Sequence, residues 1–118
     1  MFDPYCKLYI QTDVERSSVL SRCHEVLGGS QSRNAVENSL LLLRIDENDD
    51  FDEERLNSEQ NYVFAKFVSE VEGIEDDVSE ESFIESICKL ITTLRTDGML
   101  VVAACEFEDE VAARTGSN

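Results

Sequence analysis

The chain has 118 residues, the length of one domain, and its 42% hydrophobic content excludes a wholly disordered polymer. A chain of this size buries enough surface to hold its own core without a covalent staple. Its 26 acids against 10 bases leave a net charge of −16, so nucleic acid and anionic membranes, both polyanions, are disfavoured as unaided partners.

In chain order, the start (Met1-Phe2-Asp3-Pro4-Tyr5-Cys6) has neither the basic nor the apolar region of a secretory signal, which predicts a cytoplasmic protein. Tyr5 to Gln11, with Tyr5, Leu8, Tyr9 and Ile10, reads as a first strand. Thr12-Asp13-Val14-Glu15 matches a capping box opening a helix. Val19, Leu20, Cys23, Val26 and Leu27 share one face of that helix, and Gly28-Gly29 ends it. Residues 30 to 37 are polar and read as a loop. Asn38 to Asp46, carrying Leu40 to Leu43 and Ile45, reads as a second strand.

The stretch of residues 46 to 60 is an acidic loop with eight acids and only Arg55 as a base. Tyr62 to Val71, rich in aromatic and branched residues, reads as a third strand. Ser79 is placed to cap a second helix whose apolar face is Phe83, Ile84, Ile87, Leu90, Ile91 and Leu94, ended by Asp97-Gly98. Met99 to Phe107 reads as the fourth strand, and residues 109 to 118 as a frayed polar tail. The order β-α-β-β-α-β, in one domain over residues 1–118, predicts an α+β ferredoxin-like fold: a four-stranded antiparallel sheet with two helices on one face. The other sheet face is left for solvent or a partner. The third strand already divides that way, with Val63, Ala65, Phe67 and Val71 on one side.

The apolar run from Met99 to Cys105 is far below the roughly 20 residues of a membrane span. Cys6, Cys23, Cys88 and Cys105 form no C-x-x-C, which argues against a zinc knuckle or a thioredoxin-type motif. In a reducing cytosol they read as four small buried thiols. A Cys6–Cys105 bridge is geometrically available if their strands are neighbours, although a cytosolic address argues for free thiols.

His24, the sole histidine, sits beside Cys23, and neighbours on a helix point about 100° apart, so they form no nucleophile–base pair. No phosphate-binding glycine motif appears, and nothing singles out a pair of carboxylates for acid–base work. Asp46, Asn48, Asp50, Asp52 and Glu54 fall at alternate positions of a calcium loop. Phe51 stands where that loop needs glycine, and Asn57 where it needs a bidentate glutamate. Weak cation condensation is the most such a loop is expected to give. No metal and no cofactor are expected, and function is expected to lie in binding rather than catalysis.

The acids remain. They concentrate at residues 46–59, 70–85 and 106–110, either as a solvated surface or as a docking surface for a basic partner. Three pieces of the chain carry a resemblance: Phe2-Asp3-Pro4-Tyr5-Cys6-Lys7-Leu8-Tyr9-Ile10, Asn48-Asp49-Asp50-Phe51-Asp52-Glu53-Glu54, and Val102-Ala103-Ala104-Cys105-Glu106-Phe107-Glu108-Asp109-Glu110. Through them the chain resembles bacterial immunity proteins of toxin systems. The resemblance implies an inhibitor that binds a cognate toxin domain and blocks its active site. Contact-dependent growth inhibition, where the toxin is often a nuclease, is one such setting. A nuclease groove is positive, and a carboxylate-rich loop can fill it as a nucleic-acid mimic. The residues expected to do so are Asp49, Asp50, Asp52, Glu53 and Glu54, with Phe51 as an apolar anchor beside Tyr62 and Phe64. Glu106, Glu108 and Asp109 form a second candidate group. The alternative is a ligand-sensing or self-associating module, a homodimer included, that uses the open sheet face. A small enzyme on the same scaffold is the remaining rival.

Overall fold

The computed structural model describes residues 2–56, 62–75 and 77–116. Its elements are β1 (Tyr5–Gln11), α1 (Arg16–Leu27), β2 (Ser30–Gln31), β3 (Ala35–Glu37), β4 (Leu41–Glu47), α2 (Glu53–Leu56), a 3-10 turn (Tyr62–Phe64), β5 (Phe67–Gly73), α3 (Glu80–Thr96), β6 (Leu100–Ala104) and α4 (Glu108–Thr115). The strands form one sheet in the order β2-β3-β4-β5-β1-β6, with every neighbouring pair antiparallel. The protein is thus α+β. Among the described residues the sheet has six strands rather than the expected four, and there are four helices rather than two.

Alternation along the long strands sorts the sheet into two faces. Cys6, Leu8 and Ile10 of β1, Leu41, Leu43 and Ile45 of β4, Phe67 and Val71 of β5, and Val101 and Ala103 of β6 are all buried. They meet Val19, Leu20 and Cys23 of α1, the apolar face of α3, and Val111 of α4 in one core. The six α3 residues anticipated for that face are all buried, and Ser79 caps the helix by accepting a hydrogen bond from the Ser82 amide at 3.3 Å.

The differences from expectation have local causes. The capping box at Thr12 does not form. Thr12 Oγ1 instead accepts from the Val14 amide at 3.3 Å, and α1 starts at Arg16 with Glu15 at its cap position and no side-chain cap. The polar stretch of residues 30–37 carries β2 and β3, held by pairing: Ser30 opposite Glu37, and Val36 opposite Leu43. Gly29 turns the chain into β2 with φ 78, and a Cβ there would collide with the Glu37 carbonyl oxygen. The third strand begins at Phe67, not Tyr62. Part of the expected tail is helical: α4 runs to Thr115 with Val111 fully buried.

The outer edge of β6 is occupied. Arg95, at the end of α3, donates through Nη2 to the Val101 carbonyl at 2.7 Å and through Nη1 to Thr115 Oγ1 at 3.3 Å. A free strand edge invites pairing with another chain, and a charged side chain laid along it blocks that. Arg95→Leu is therefore expected to cost about 1–3 kcal/mol by stranding the Val101 carbonyl. It should also bring concentration-dependent association in sedimentation velocity. A variant that stays monomeric at every concentration would show that Arg95 does not guard the edge.

Burial also sets an alkaline limit. The Cys23 thiol is pushed up from an ordinary 9.0 to about 12 by desolvation alone. Folding favours its protonated form, so this contribution is complete below pH 9.0 and is lost as pH rises toward 12. Tyr5 acts in the same direction, raised from 10.0 to about 12, first by burial and then by its hydrogen bond to Glu70. The Cys23 part is worth about 4 kcal/mol. Urea melts across this window should show the wild type losing more stability than Cys23→Ala. Parallel losses would refute the assignment.

Candidate functional site

The acidic loop is built on Asn48, a residue that composition alone does not single out. Its amide nitrogen donates to the Lys66 carbonyl at 2.9 Å, and its Nδ2 donates to the carbonyls of Val63 and Ala65, both at 2.8 Å. Its Oδ1 accepts from the Asp50 amide at 3.1 Å, and its carbonyl accepts from the Phe51 amide at 3.0 Å. One side chain thus folds the turn after β4 and ties it to the segment entering β5. This also explains the 3-10 turn. Tyr62, Val63 and Phe64 have strand-forming side chains, but the carbonyls of Val63 and Phe64 are committed to the loop, the latter to the Asp52 amide at 3.1 Å.

Asp52 has a structural duty. Its Oδ1 accepts from the amides of Glu54 and Arg55 at 3.1 and 3.2 Å, and so caps α2. Its Oδ2 lies 3.5 Å from Arg55 Nε, and the Arg55 guanidinium covers the Phe64 ring at 5.3 Å. Phe64 is therefore taken up within the loop. Asp49, Asp50, Glu53 and Glu54 point to solvent, and Phe51 beside them is 43% exposed. The calcium-like spacing is spent on other bonds, since Asn48 and Asp52 both serve backbone groups. Asn57, expected at the last ligand position, lies outside the described residues. Among the described residues no three His, Cys, Asp or Glu side chains gather as a metal site.

The loop borders the open face of the sheet. Lys7, Asp46, Glu47, Asn48, Asp49, Asp50, Val68 and Glu70 line a shallow groove of about 580 Å³ there. The strand register brings Arg44, Glu70 and Lys7 into one row and Asp46, Val68, Tyr9 and Val102 into the next. Glu70 is the hub of the first row, accepting from Tyr5 OH and from Arg44 Nη2, both at 3.0 Å. Tyr9 packs edge-on against Tyr62 at 5.3 Å. The aromatic neighbour that Tyr62 gives the loop is therefore on the sheet.

The second acidic group stands elsewhere. Glu106, Glu108 and Asp109 follow β6 at the end of the sheet where Ala104 faces Lys7, whereas the loop leaves β4 where Glu47 faces Phe67. The helix they open, α4, packs against α3 on the covered face. Glu108 is exposed, and its Oε2 accepts from the Cys105 amide at 3.4 Å. The two groups occupy opposite ends and opposite sides of the sheet.

Four of the basic side chains are already paired. Arg22 lies 2.7 Å from both Asp97 and Glu25, Arg44 pairs with Glu70, Arg55 with Asp52, and Arg114 with Glu81 and Glu110. These exposed pairs add little stability individually. Their larger effect is to leave the outward field dominated by unpaired acids. His24 is half-buried, with Nε2 2.9 Å from the Gly29 carbonyl oxygen. Cys23 beside it is fully buried in the core.

Set against known protein families, curated proteins and solved structures, the chain matches none of them.

Proposed function

We propose that the protein is a cytoplasmic immunity protein that neutralises a cognate basic toxin domain, a nuclease by preference, by binding alone. The observation that carries this reading is the acidic loop. It is a turn fixed by Asn48 and capped by Asp52, and it holds Asp49, Asp50, Glu53 and Glu54 outward around a half-exposed Phe51. A preordered array of carboxylates with one apolar anchor resembles the charge and shape that a phosphate-binding groove is built to receive. Preordering matters because an interface loses less entropy when its loop is already formed. The same reading takes β4, β5, β1 and β6 with α1 and α3 as a ferredoxin-like split β-α-β unit, to which β2, β3, α2 and α4 are additions.

The test is calorimetry with the toxin domain encoded immediately upstream, at two salt concentrations. Nanomolar binding that weakens with salt is the expected result. Absence of binding at either concentration would refute this reading.

One observation favours a second reading. The open sheet face carries Tyr9, Tyr62, Val68 and Val102, with Leu100 67% exposed at its edge. A ligand-sensing or self-associating module would use that face. A monomer independent of concentration, with no thermal shift across small metabolites, would count against it.

A further inference from the structure

The register that joins β1 to β6 ends with Lys7 opposite Ala104. One step further it puts Cys6 opposite Cys105, and their Sγ atoms are 3.2 Å apart although 99 residues separate them in sequence. The pairing type matters. The Cys105 amide donates to Glu108 Oε2 and its carbonyl accepts from the Glu108 amide, so neither group is spent on β1. Four residues back along β6, at a position of the same parity, the Val101 carbonyl likewise turns outward to Arg95. These are positions where facing residues do not bond through their backbones, and there antiparallel strands bring their side chains closest, with Cα atoms about 4.5 Å apart. That spacing lies within the range a disulfide spans.

We propose that Cys6 and Cys105 form a reversible intramolecular disulfide, closed by exchange with a low-molecular-weight disulfide of the glutathione class. The two thiols have different parts. Cys6 is fully buried, while Cys105 is half-buried at the mouth of the turn into α4. The Cys6 thiol donates to Cys105 Sγ, and the Phe107 amide adds a second donor; together they favour the Cys105 thiolate over the burial and nearby acids that oppose it. Cys6 moves the other way, held protonated by that hydrogen bond and by burial.

Cys105 Sγ therefore attacks one sulfur of the small disulfide, forming a mixed disulfide and expelling one small thiolate. Cys6 Sγ then attacks the Cys105 sulfur, its proton passing to the second small thiol as that leaves. The two protein thiols are oxidised by two electrons, and the small disulfide is reduced to two thiols. Neither Cys23 nor Cys88 offers this arrangement. Cys23 is sealed in the core, and the leading influence on Cys88 is burial, which raises its pKa.

The bond would fasten the N-terminal strand to the turn before α4, beside the rings of Phe2 and Phe107, which meet at 5.5 Å. Closing so long a loop is expected to raise Tm by about 10 °C.

The experiment equilibrates the reduced, folded wild-type protein in mixtures of reduced and oxidised glutathione. Remaining thiols are then alkylated, and the peptides are mapped by mass spectrometry. The expected product is a monomer lighter by two hydrogens, with the Cys6 and Cys105 peptides joined, a raised Tm, and full reversal by dithiothreitol. Cys88→Ala should retain that product, and Cys105→Ala should lose it while remaining folded. Four free thiols at every ratio, a bridge between any other pair, or disulfides only between molecules would each overturn the proposal.

Discussion

Truncating Phe83 to alanine is expected to remove about 4 kcal/mol of stability, as read from urea unfolding. The ring is fully buried in the first turns of α3. It meets Phe2 edge-on at 5.9 Å and Phe107 edge-on at 6.0 Å, and those two rings also touch. Three distant parts of the chain, the N-terminus, α3 and the entry to α4, thus converge on one side chain. Its removal costs the transfer energy of the ring, leaves a cavity that helices packed on a sheet fill poorly, and forfeits two edge-to-face contacts of about 0.5–1.5 kcal/mol each. Domains of this size are stable by only about 5–15 kcal/mol, so the variant should be partly unfolded at modest urea. Phe83→Leu should keep much of that stability, because it retains most of the apolar volume. A loss below about 1.5 kcal/mol for the alanine variant would mean that the three-ring cluster is not part of the cooperative core.

Where the sequence pattern had a single physical reading, it held. Tyr5–Gln11 is the strand expected from Tyr5, Leu8, Tyr9 and Ile10, residue types that suit a pleated, half-buried surface. The apolar face of α3 was legible to the residue, since six large side chains at helical spacing with a serine cap admit little else. The misses share a cause. β2 is polar and β3 buries only Val36; β3 forms because β4 offers it an edge and β2 because β3 does in turn, a tertiary fact that no local pattern encodes. Tyr62–Phe64 has strand propensity but is diverted by Asn48, sixteen residues or so away. α4 buries only Val111, too little to set a period. The acidic character of the loop was legible, but the division of labour within it was not. Asp52 stood among the binding candidates, and only its bonds to the Glu54 and Arg55 amides reveal it as a cap. The neighbourhood of Cys6 and Cys105 was readable as a condition on strand order, and the observed register meets that condition.

That division of labour determines which substitutions test the docking surface. Reversing Asp52 would conflate lost binding with a lost cap, whereas Asp49, Asp50, Glu53 and Glu54 can be changed to lysine together without touching a bond their side chains make in the loop. The quadruple variant halves the net charge of −16. Its own stability should change little or rise, because like charges at the surface repel. Affinity for the upstream-encoded toxin domain should fall at least about 100-fold, since charges facing a basic groove become repulsive as well as absent. The salt dependence should flatten in the same titration, because fewer attractive pairs remain to be screened. Phe51→Ala separates the two contributions: losing an apolar anchor should weaken binding by about 2 kcal/mol while leaving the salt dependence intact. If the folded quadruple variant binds as the wild type does, the loop is not the contact. The position of the other acids then decides the next test. Glu106, Glu108 and Asp109 lie at the far end of the sheet and on its covered side, so a partner of ordinary interface size that ignores the loop is free to sit there. The two groups are therefore competing sites, and one charge-reversal series on each assigns the binding face.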